Sequence, residues 1–99
     1  MTRIAAYVPD LMDRSRLAAV GDVTFVATPA ELTTVAADVV VVDLSRPGVL
    51  SVLPQLAGAR TVGFGSHVDE ELLAAARAAG CQEVLPRSRF FARLPDLLR

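Results

Sequence analysis

Residues 37–48 read ADVVVVDLSRPG. Four consecutive valines, Val39–Val42, offer no face suited to water. A β-branched, wholly apolar run of this length is a strand covered on both sides, as in a parallel sheet flanked by helices. A carboxylate, Asp43, ends the run, and Pro47 with Gly48 stops any regular element from continuing. The stretch therefore predicts an α/β fold and raises one chemical question: whether Asp43 is a reactive group or only a polar strand end.

Working outward, apolar runs of strand length recur at Ile4–Val8, Val23–Ala27, Thr61–Phe64 and Glu83–Leu85. With Val39–Val42 they make five β/α units in one domain spanning residues 1–99. The segments between them carry helix signals. In TPAE, Thr28 is a candidate cap, Pro29 suits the first helical position and Glu31 completes a capping box. In HVDEELLAAARAAG, Asp69 caps, Glu70 and Glu71 favour the positive helix end, and Gly80 closes a run whose Leu72, Leu73, Ala76 and Ala79 share a face. A first helix is expected after Asp10, with Leu11, Leu17 and Ala18 inward, and another through Leu50, Leu53 and Leu56. Short connections and right-handed crossovers then predict a doubly wound, five-stranded parallel sheet with Val39–Val42 at its centre. Functional groups should gather at the strands' C-terminal ends, which carry Pro9 and Asp10, Asp43, Gly65–His67, and Arg87.

Bulk composition narrows the function classes. The 99 residues are 53% hydrophobic and 21% charged, enough apolar material for one core. Apolar runs are too short to span a membrane and the N-terminus lacks a signal-peptide layout, so a soluble cytoplasmic protein is expected. The single cysteine, Cys81, reads as a small buried filler. A net charge of −1 argues against nucleic acid as a partner. The charge is uneven, because Arg87, Arg89, Arg93 and Arg99 face only Asp96 within residues 87–99. All 10 cationic side chains are arginine.

In order along nearly its whole length, the chain resembles the CheY-like receiver domain of bacterial response regulators, a flavodoxin-like module whose aspartate accepts a phosphoryl group from a histidine kinase. DVVVVDLSRPG resembles that family's third strand and following loop, and HVDEELLAAARAAGCQEVLPRSRF its fourth helix, the glycine after it and the fifth strand. The resemblance implies a flavodoxin-like sheet of strand order 2-1-3-4-5, Asp43 as phosphoacceptor, Gly65 or the adjacent Ser66 at the switch-hydroxyl position, and Arg87 at the position of a lysine. It also implies two-component signalling by phosphorelay, with Mg²⁺ as the cofactor if phosphorylation is retained.

The departures fall on that chemistry. A hard cation needs several oxygen ligands, supplied in the family by the acceptor and an acidic pair ending the first strand. Here Val8 and Pro9 occupy those positions. Asp10 follows by one residue and could help Asp43 hold a weak Mg²⁺ site, or simply cap the first helix. Counting back from Gly80 favours Gly65 over Ser66 at the hydroxyl position. Arg87 keeps the charge, and its planar fork suits a carboxylate, so an Arg87–Asp43 bridge is expected to fill the site with the protein's own cation.

These features predict a receiver-like signalling module that works by protein–protein interaction without efficient phosphorylation, and is not an enzyme. A working receiver phosphorylated on Asp43 is the alternative. A small hydrolase built on Asp43, His67 and Ser66, or a phosphate-ligand-binding protein using GFGS, is a third reading, although GFGSH lacks the G-x-S-x-G elbow. Expected partners are another signalling protein or a second copy of the chain. The expected contact surface is Arg89, Phe90, Phe91 and Arg93, with one of the adjacent phenylalanines exposed. Pro95 should break or restart the final helix and leave Leu97 and Leu98 to seal the core.

Overall fold

The valine run lies at the centre of the sheet. In the computed structural model, which describes residues 2–98, it forms β3 (Val39–Asp43), buried along its full length. Strand β1 (Ile4–Tyr7) pairs on one side of β3 and β4 (Arg60–Gly65) on the other. The outer strands are β2 (Val23–Phe25), paired to β1, and β5 (Glu83–Pro86), paired to β4. All four pairings are parallel and the order is β2-β1-β3-β4-β5, as the resemblance implies.

Alternation along the strands sends side chains into two cores. Ile4, Ala6, Val8, Val39, Val41, Val62 and Phe64 meet α1 (Leu11–Ala18) and α4 (Arg87–Ala92) on one face. Ala5, Val40 and Val42 face α2 (Val49–Val52) and α3 (Glu70–Ala78) on the other. The α3 helix carries its signals as read: the Asp69 side chain accepts from the Leu72 N–H at 3.2 Å, and Gly80 takes φ 102° just past the end.

Several local expectations are corrected. TPAE opens only a 3-10 turn, Pro29–Thr33, and the Thr28 side chain makes no cap bond. Glu31 instead accepts from the Ala27 N–H and from the Thr28 hydroxyl, each at 3.4 Å. The segment through Leu50, Leu53 and Leu56 splits into α2 and a second 3-10 turn, Leu53–Leu56, because Pro54 has no N–H to continue an α-helical ladder. In α1 the phase differs from expectation. Leu11 is 78% exposed and Ala18 faces solvent, whereas Asp13 and Leu17, four residues apart, point inward.

The expected exposure of Phe90 or Phe91 is also corrected, since both are buried. Phe64, projecting from β4, accommodates the pair. Phe90 stacks on its ring at 4.7 Å between centroids, Phe91 meets it edge-on at 5.3 Å, and the two neighbours meet each other at 87°. As expected, the helix stops before Pro95, and a final 3-10 turn, Asp96–Leu98, delivers Leu97 and Leu98 into the core. Arg99 lies outside the described residues. No helix among the described residues is long and apolar enough to cross a membrane.

Candidate functional site at the C-terminal edge of the sheet

Asp43 ends β3 with its side chain on the α1/α4 face, level with Phe64 on β4. It is 5% exposed and well supplied with donors. One oxygen accepts from the Ser45 N–H at 3.0 Å and from the Ser45 hydroxyl at 2.7 Å, and the other accepts from Arg46 Nε at 3.4 Å. The residues immediately following the strand thus satisfy the carboxylate locally. Asp43 opens onto a cleft of about 310 Å³ shared with Ser45, Ser66, His67, Arg87 and Ser88.

The end of β1 supplies no acid to this cleft. The Tyr7–Val42 register sets Val8 level with Asp43, and Val8 is fully buried, its carbonyl accepting from Arg14 Nε at 2.7 Å. Pro9 follows. The Asp10 carboxylate caps α1, accepting from the Met12 and Asp13 N–H groups at 2.9 and 3.0 Å. Those bonds, that from Asp13 foremost, hold its pKa below the ordinary value. A Mg²⁺ ion requires free, convergent oxygens, but Asp10 is committed to a helix end and Asp43 to Ser45 and Arg46. No group of three acidic, histidine or cysteine side chains among the described residues could hold a metal. The donor set does not fit the ion.

Arg87 does not bridge to Asp43. Its guanidinium donates to Asp13 Oδ1, on the inward face of α1. This hydrogen bond is the main cause of the raised Arg87 pKa, with smaller contributions from the charges of Asp43 and Asp10. The guanidinium also lies 5.2 Å from the Phe91 centroid and 5.6 Å from that of Phe64. Asp13 is the residue that the sequence reading missed. It is 2% exposed, and its Oδ2 has no hydrogen-bond partner among the described residues. The available signal was its place four residues before the core-facing Leu17.

The two candidate hydroxyl positions point to different sides. Both residues line the cleft with Asp43, but a Cβ at Gly65 would meet Leu73 at 3.3 Å, towards α3, whereas Ser66 is the first residue past β4. Ser66 Oγ accepts from the Val68 N–H at 3.4 Å, and the exposed His67 makes no hydrogen bond among the described residues. Nucleophile, imidazole and carboxylate are therefore unconnected, which leaves the hydrolase reading without its geometry.

No protein-family model and no curated protein sequence matches this chain. Its shape does have counterparts. It is similar to a response regulator from Hahella chejuensis at TM-score 0.83 and 16% identity, covering 99% of this chain and 92% of that one. A CheY-like protein, TadZ, from Pseudomonas aeruginosa PAO1 aligns at TM-score 0.73 and 21% identity, covering 100% and 98%. A putative pilus assembly protein, CpaE, from Burkholderia thailandensis E264 aligns at 0.65 and 17%, covering 89% and 87%. With the sheet order and the two helical layers, these similarities identify the fold as that of the CheY-like receiver domain.

Proposed function

We propose that this chain is a receiver-like signalling module that acts through contacts with other proteins and is not switched by efficient phosphorylation of Asp43. One observation carries the reading: the β1 end offers buried Val8 and Pro9 where a cation needs carboxylates, while Asp10 is spent on capping α1. Phosphoryl transfer to an aspartate brings together two negatively charged groups, and without a metal the developing charge lacks its main counterion. Arg87, the cation that follows β5 at the start of α4, is engaged by Asp13. Similarity in shape to a response regulator and to a CheY-like protein supports a signalling role exercised through contacts with other proteins.

Amide spectra recorded with Mg²⁺ and beryllofluoride, a mimic of the acyl phosphate, test the proposal. The expected result is no saturable change at Asp43, Ser45 or Ser66. Stoichiometric, Mg²⁺-dependent labelling by acetyl phosphate that disappears in Asp43→Asn would establish the alternative, a working receiver.

A further inference from the structure

On the far side of Arg87 from Asp43, a second cleft of about 410 Å³ runs between α1 and α4, lined by Arg16, Arg87, Ser88, Phe91 and Ala92. Two guanidiniums converge on a single ring there: Arg16 lies 4.0 Å and Arg87 5.2 Å from the Phe91 centroid. Each cation draws on the ring's quadrupole, which offsets only part of the cost of a second positive charge lining the same cleft. The nearby counter-charge is Asp13, which binds Arg87 through one oxygen, and among the described residues Arg16 has no carboxylate partner. Ser88 is exposed, and among the described residues its hydroxyl makes no hydrogen bond. Two guanidiniums and a free hydroxyl thus face one opening.

We infer that the α1/α4 cleft is a binding site for a phosphate-class oxyanion, held by Arg16, Arg87 and Ser88. A tetrahedral oxyanion presents three terminal oxygens, one for each donor group, whereas a carboxylate presents two. Guanidinium forks match such oxygens in pairs. The site is separate from the Asp43 chemistry and does not depend on whether Asp43 is phosphorylated. Arg87 and Ser88 line both clefts, so an anion bound here bears on the edge that carries Asp43.

The test is titration of isotopically labelled protein with inorganic phosphate, ionic strength held constant with sodium chloride and amide shifts followed. The expected result is saturable shifts centred on Ser88, Phe91 and Ala92, with binding weakened about tenfold or more in Arg16→Gln, since a charged donor is lost. Arg16 is exposed and makes no ion pair among the described residues, so this variant should keep the wild-type fold, which its spectrum will verify. Asp43→Asn should bind as the wild type does, separating this site from the phosphoacceptor position. A short phosphoserine peptide, run in parallel, distinguishes the source: tighter binding than phosphate identifies a group carried by a partner, equal binding a free anion. Equal shifts with acetate, an unchanged affinity in Arg16→Gln, or shifts centred on Ser66 and His67 would each overturn the assignment.

Discussion

Arg87, the first residue of α4, pairs with Asp13 on α1 and not with Asp43 at the end of β3. Both carboxylates are buried, so the choice follows from the supply of donors. Asp43 already takes its donors from Ser45 and Arg46, whereas the Asp13 side chain has no other donor among the described residues. Removing Arg87 alone leaves a buried carboxylate uncompensated. Arg87→Gln should therefore destabilise the domain by about 1–3 kcal/mol, the cost moderated because the arginine is itself half exposed. Urea unfolding of Arg87→Gln, Asp13→Asn and the double variant should give a coupling of about 1 kcal/mol or more, and the corresponding cycle with Asp43→Asn should be nearly additive.

Restoring the acidic pair gives a prediction of the opposite kind. In Val8→Asp, Pro9→Asp a carboxylate enters a fully buried position beside Asp43, which lowers stability in metal-free buffer. Millimolar Mg²⁺ should then raise the Tm of that variant by ligand linkage while leaving the wild type unmoved. A matching Mg²⁺ dependence in the wild type would show that its own oxygens suffice.

The aromatic trio should dominate the stability of the α4 side. Phe90 is fully buried against Phe64, so Phe90→Ala is expected to cost about 3–5 kcal/mol in chemical denaturation. Arg89→Glu and Arg93→Glu, on the exposed side of the same segment, should change stability by less than about 0.5 kcal/mol. If that basic face contacts a partner, those two substitutions will weaken binding without unfolding the protein, which sedimentation and circular dichroism together will show.

Cys81 offers a probe of opening. The thiol is buried, donates to the Glu83 carbonyl at 3.3 Å, and has its pKa pushed up chiefly by desolvation. Thiolate is the reactive form, so labelling by a disulfide reagent at mildly alkaline pH should be slow in the native state and fast in denaturant. A rapid native reaction would mean that the β5 edge opens locally.

Acid sensitivity should trace in part to the α1 cap. The folded-state pKa of Asp10 lies below its ordinary value because the Asp13 and Met12 N–H groups bond the ionised form. Stability from this cap is present above the ordinary carboxylate value and is lost as pH falls through the depressed one. Asp10→Asn keeps a capping oxygen but does not titrate, so its unfolding midpoint should fall less steeply in that acid range.

The parts legible in the sequence were those set by local pattern. Val39–Val42 admitted only a central strand, and Asp69 with Gly80 bounded α3 because both end signals are local chemistry. The parts that were not legible depend on three-dimensional choice. Leu11 and Asp13 exchange the places expected from hydropathy because the packing of α1 sets its rotation, and the inward position finds its cation seventy-four residues away in Arg87. Phe90 and Phe91 could both be buried only because Phe64 projects between them.

The outer strands are short: β2 has 3 residues, and β5 has 4 and ends at Pro86, which has no N–H to offer. A sheet grows between molecules by templating on an unpaired row of backbone groups, and these borders give an incoming chain little length to grip. Association of this domain with itself or with others is thereby directed away from ribbon-like strand addition and towards its helical sides, where contact is reversible and set by side chains.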